Sequence, residues 1–203
     1  MSRIAPKQLR DYPWYVRFVL RRQQRRYGRV LAPSFLWGRL PRAFVAMLAS
    51  LGAFQHRRYP VDAVLRSLVS IRIAQLTGCR FCVDLNAHNF LEAAGETEKP
   101  GEVERWRESG VFTERERAAL AYAEAVTGAC DAVGGKDIDS LRQHFSEDEI
   151  TALTAWIAFQ NMSARFNAAL GAEEHGFCRP VGAGDGTVQQ ATPAAAAIRG
   201  LEE

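Results

Sequence analysis

Apolar residues along this chain recur at three- and four-residue steps, and no stretch alternates as a half-buried strand would. After Pro13, Tyr15, Phe18 and Val19 sit at helical spacing and the run Arg21-Arg22-Gln23-Gln24-Arg25-Arg26 follows, which predicts a helix over residues 8–27 ended by Gly28. Pro41 opens a second helix to about Gln55. Pro60 opens a third to Thr77, on which Val61, Val64, Leu65, Leu68, Ile71 and Leu76 mostly share one face. Gly78 breaks that helix, and the next starts with Cys79 and closes at Ala94 before Gly95. A polar loop around Lys99-Pro100-Gly101 leads to a short helix, Glu102 to Glu108. Thr113 with Glu116 has the capping-box spacing for a helix to Thr127, and Asp137 opens a short helix to Phe145. Ser146 with Glu149 makes a second capping box, for a long apolar helix from Glu147 to Leu170 stopped by Gly171. With no hairpin dipeptide between β-branched runs, the expectation is an all-α fold of about eight helices.

The 203 residues suffice for one well-filled core, and 47% apolar with 24% charged residues is an ordinary globular balance. The longest mainly apolar run, Ala43 to Phe54, is 12 residues, well short of the ~18 needed to cross a bilayer. Residues 1–7 show no apolar signal stretch, so a cytoplasmic location is expected. The net charge of +3 hides a strong asymmetry: residues 1–45 carry eleven basic residues and one acidic, the remainder fifteen basic and twenty-two acidic. Such an arm can serve nucleic acid or anionic lipid, or lie on an acidic protein body. Tyr12, Trp14 and Tyr15 favour the last reading, because aromatic surface gains from burial. No nucleic-acid reader fold is recognisable, and contact with a membrane surface is not expected. The chain is therefore divided into a basic helical arm (1–40), a helical domain (41–178) and a flexible tail (179–203), the last rich in Gly, Ala and Gln.

Candidate chemistry concentrates at Cys79-Arg80-Phe81-Cys82. Unpaired backbone N–H groups and the positive end of the helix dipole favour a thiolate at a helix start, and a three-residue step puts both sulfurs on one turn. One thiolate can attack an oxidant or a disulfide and the other can resolve the product. Three readings compete: buried hydrophobic cysteines, half of a zinc site lacking a second ligand pair, and a thioredoxin-like motif lacking its βαβ surround. Cys130 and Cys178 are isolated and read as structural or exposed thiols. His56, His144 and His175 have no local partner suggesting a ligand set. Trp156, Phe159, Met162 and Phe166 form a stripe suited to core packing or an oligomer interface.

The stretch from Leu65 through Gly78-Cys79-Arg80-Phe81-Cys82 to Leu85 resembles the core of the carboxymuconolactone decarboxylase/alkylhydroperoxidase D (AhpD) family, as do Phe112 to Ala123 and Phe166 to Gly171. The resemblance covers roughly residues 40–178. It implies an AhpD-like all-α fold, a homo-oligomer, and a peroxidase-like thiol cycle without haem, flavin or metal. A small hydroperoxide would be the substrate, and a dithiol or redox protein the electron donor. Carried over by position, Cys82 becomes the thiol oxidised to sulfenic acid and Cys79 its resolving partner. Relatives of the AhpD type usually place a His four residues after the second Cys and a Glu twelve before the first; here Asn86 and Ser67 stand there. His88 is the candidate substitute base, although on a regular helix it points roughly 120° from Cys82. It would need an irregular helix start or a neighbouring subunit; its other reading is an ordinary histidine paired with Glu92. The family's decarboxylase chemistry and a non-catalytic assembly role are the alternatives.

Overall fold

The structure is a computed structural model in which residues 2–128 and 133–177 are described; Cys130, Cys178 and the tail expected from residue 179 lie outside them. Among the described residues there are nine α-helices and no strand. These residues form two units, one of residues 2–56 with 170–173, the other of residues 57–169 with 174–177.

In the first unit, helix α1 spans Trp14–Tyr27 rather than beginning at residue 8. Tyr12 is extended (ψ 146°), as a residue before proline prefers, so the helical turn at Leu9–Asp11 cannot run through into α1. Val16 and Leu20, one turn apart, are fully buried, while Trp14 and Phe18 on the other face are 74% and 63% exposed. Of the aromatic trio near the start, Tyr12 is the buried member, its hydroxyl donating to the Phe35 carbonyl at 3.0 Å. Helix α2 (Ala32–Trp37) escaped the pattern because six residues are too few to show a period. It ends at Gly38, where a Cβ would stand 2.8 Å from the Ser34 carbonyl, so no other residue fits without a shift. Helix α3 (Pro41–Phe54) buries only Phe44.

The second unit is built around α4, Ala63–Thr77, which packs on the helices that follow it. Its start is set by Asp62, whose Oδ1 accepts the Leu65 N–H at 2.9 Å, and not by Pro60. Buried positions run almost unbroken from Leu65 to Ala74 because α5 (Arg80–Ala94), α7 (Glu114–Thr127) and α9 (Glu147–Ala169) all lie against it. Leu68 and Ile71 of α4 join Phe90, Val103, Trp106, Phe112 and Leu120 in one core cluster.

The helix expected over Glu102–Glu108 is displaced. Helix α6 occupies Glu98–Glu102, with Pro100 in its first turn where a missing N–H does no harm, and a 3-10 turn follows at Val103–Arg105. The Arg117 guanidinium donates to the carbonyls of Trp106, Arg107, Ser109 and Phe112, which holds the next segment as a loop. Both capping boxes form, Thr113 with Glu116 on α7 and Ser146 with Glu149 on α9. Helix α8 is Gly135–Arg142, two residues earlier at its start than expected, because the Asp137 carboxylate reaches back to the Gly134 N–H.

Candidate active site

Two residues separate α4 from α5, and Cys79 serves both helices. Its N–H donates to the Ala74 carbonyl at 2.9 Å, closing α4 around Gly78, whose φ of 71° lies in the left-handed region that favours glycine. Its Sγ then accepts the Cys82 N–H at 3.2 Å, in the position an N-cap oxygen would take at the start of α5. Cys79 and Cys82 are joined as a disulfide with Cα atoms 5.2 Å apart. The spacing that predicts two sulfurs on one turn is thus realised, with Cys79 as the sulfur that caps the helix.

The pair is nearly enclosed: Cys79 is 2% and Cys82 4% exposed. From α9, Asn167 brings its side-chain Nδ2 to 3.5 Å from the Cys82 sulfur, and it too is buried at 3%. Asn86 and Ser67, the residues standing where relatives carry a relay, are buried but bonded along their own helices. Asn86 Nδ2 donates to the Cys82 carbonyl at 2.7 Å and the Ser67 hydroxyl to the Ala63 carbonyl at 2.8 Å. His88 lies further along α5. Its Nε2 is 3.4 Å from Glu92 and its ring stacks on Phe177 at 5.4 Å, with no hydrogen bond to either sulfur. Arg80, the cation within the motif, is exposed.

A short segment after α9 lies along the same helix. Asp84 Oδ2 accepts the backbone N–H groups of His175 (3.0 Å) and Phe177 (3.1 Å). The His175 ring meets Phe81 edge-on at 5.4 Å. Phe81, Asp84 and His88 therefore present one face of α5 to residues 174–177. Asn167 and Asp84 are not candidates that the sequence suggests: an Asn at the end of an apolar helix and an Asp two residues past a cysteine carry no pattern of their own.

Charged groups gather elsewhere. Glu124 of α7 accepts from Arg72, Trp106 and Arg107. Burial raises its carboxyl pKa, but the hydrogen bonds from Arg107, Trp106 and Arg72 outweigh this and hold it below the usual carboxylate value. Arg66 of α4 is packed between the rings of Tyr59 and Trp156, each 5.4 Å from its guanidinium carbon. Burial lowers its pKa, partly countered by Tyr59 and Asp62.

The described residues form an AhpD-like all-helical fold with a bonded Cys-x-x-Cys pair at a helix start. The carboxymuconolactone decarboxylase family model matches residues 39–125. The uncharacterized protein YnjA of Escherichia coli (strain K12) is 42% identical over 156 residues, 77% of this chain and 86% of YnjA. The chain belongs to the carboxymuconolactone decarboxylase family. Among solved structures, an alkylhydroperoxidase AhpD core, an uncharacterized peroxidase-related protein from Ralstonia eutropha JMP134, matches with TM-score 0.78 at 21% identity, covering 86% of this chain and 93% of that one. The debrominase Bmp8, in its apo form, matches with TM-score 0.68 at 23% identity, covering 85% and 91%. At these identities the likeness of the solved structures is one of fold.

Proposed function

We propose that this chain is a thiol-dependent oxidoreductase that reduces small hydroperoxides through Cys82 and Cys79. The observation that carries this reading is the pair itself, two sulfurs bonded within the first turn of α5 with backbone and side-chain N–H groups directed at them. In the dithiol form, the Cys82 thiolate attacks the OH-bearing oxygen of the hydroperoxide. An S–O bond forms, the O–O bond breaks, and the alkoxide takes a proton to leave as an alcohol. Cys79 then attacks the sulfenic sulfur, the S–S bond forms and water departs. A dithiol donor returns the two electrons, and a capped Cys79 thiolate is a good leaving group in that exchange.

Ser67 and Asn86 bond to their own helices, so the proton for the alkoxide comes from water or the Cys79 thiol. His88 as a base would have to turn from Glu92 and Phe177. The enclosure of the sulfurs means that reactants meet them only when the packing around them opens. A homo-oligomer is part of the same proposal, supported by helix α3, which buries only Phe44 and leaves Val45 49% exposed beside Leu40 at 53%.

Steady-state hydroperoxide consumption with a dithiol donor tests the reading. Cys82→Ser is expected to fall to background, and Cys79→Ser to be oxidised once without turning over. Unchanged activity in both variants overturns the mechanism. The same enclosure favours a second reading, a non-catalytic assembly protein, and a wild-type protein that consumes no hydroperoxide would establish it.

A further inference from the structure

Asn167 differs from its neighbour on the same helix. Asn161 uses both ends of its amide: Nδ2 donates to Thr127 Oγ1 (3.0 Å) and to the Ile157 carbonyl (3.1 Å), and Oδ1 accepts from Arg165 (3.3 Å). Asn167 is more deeply buried, yet only its Nδ2 is engaged, at the Cys82 sulfur, and its Oδ1 is a buried acceptor with no donor. Buried amide oxygens are nearly always paired, so an open one next to a reactive sulfur marks a position for an incoming donor. Because Nδ2 already faces the sulfur, a group donating to Oδ1 is held beside Cys82.

We propose that Asn167 is the substrate-positioning residue of this site, its Nδ2 stabilising the Cys82 thiolate and its Oδ1 accepting the O–H of the hydroperoxide. The inference rests on the thiol-peroxidase reading and deepens it. The O–H hydrogen bond sets the OH-bearing oxygen against the sulfur; the S–O bond forms there, the O–O bond breaks, and the departing alkoxide is protonated by water. The amide carries no proton in either direction. The substrate class is then a peroxide bearing an O–H group, held by a neutral clamp.

The test uses the full-length dithiol protein and follows single-turnover oxidation by cumene hydroperoxide as a function of pH. Asn167→Leu, which has nearly the same shape, removes donor and acceptor together and is expected to slow oxidation about 10- to 100-fold. Asn167→Asp places a like charge beside the thiolate when ionised, but offers both a donor and an acceptor when protonated. Its rate relative to wild type is therefore expected to climb as pH falls through the aspartate's titration. A merely structural role leaves that ratio flat with pH. A wild type that is oxidised normally, with Asn167→Leu within twofold and a flat Asn167→Asp ratio, overturns this inference and leaves the peroxidase reading standing. A wild type that hydroperoxide does not oxidise overturns both. Should Asn167→Leu fail to fold, the Asn167→Asp ratio alone decides.

Discussion

Two polar clusters of the second unit are treated in opposite ways. Around Glu124, three donors from helix α4 and the loop before α7 converge on one carboxylate, two of them arginines that supply opposite charge. Around Cys82 the contacting groups are neutral: a backbone N–H at the partner sulfur, an amide at its own, and one amide oxygen left open. A saturated network specifies one packing and resists change. An incompletely bonded one sits at higher free energy and can accept a ligand or a new charge. In this fold the strong electrostatics hold the frame, while the cysteine site is kept short of partners.

That contrast is tested most severely at the frame. Glu124→Gln leaves Arg72 and Arg107 without their shared counter-charge. Allowing for partial exposure, it is expected to cost about 2 kcal/mol, a fall of roughly 4–8 °C in Tm by calorimetry at neutral pH. Because the folded pKa of Glu124 is depressed, its contribution is fully present above the unfolded value and is lost as pH falls through the lower, folded value. The stability gap between wild type and Glu124→Gln should thus be constant above about pH 5 and narrow below about pH 4. A gap that widens on acidification would show that the carboxylate is not the stabilising form.

A smaller effect concerns the segment that Asp84 holds along α5. Asp84→Ala releases the His175 and Phe177 amides from α5. Local opening that is easier by about 1 kcal/mol should speed disulfide reduction by dithiothreitol roughly fivefold, with little change in Tm. An unchanged reduction rate would mean that residues 174–177 do not govern access. Smallest is the loss of one capping box: Thr113→Ala is expected to cost about 1 kcal/mol, or some 2–4 °C, with hydroperoxide turnover untouched at temperatures below the transition. A loss of turnover there would tie the frame to the site more closely than the contrast allows.

Much of the fold is legible in the residue pattern alone. The glycines at 28, 78 and 95 end helices with φ near 70°, the two capping boxes sit where Thr113 and Ser146 put them, and the cysteines share one turn. The pattern misleads where its signal is too short or is overruled by packing. Helix α2 has six residues, and the loop after α6 is held by an arginine that comes later in the chain. For His88, the Glu92 pairing that its spacing allows is formed, and the stacking of its ring on Phe177 comes from a residue far along the chain.

Local sequence decides what depends on a few consecutive residues: where helices start and stop, their all-α character, and the placing of two thiols at a helix N-terminus. What reaches those thiols is decided only in three dimensions. Asn167 lies 85 residues from Cys82 and His175 lies 91 from Asp84, and no local preference encodes such meetings. They follow from α9 packing against α4 and α5, a choice made by the fit of whole helix faces rather than by any residue's own propensity.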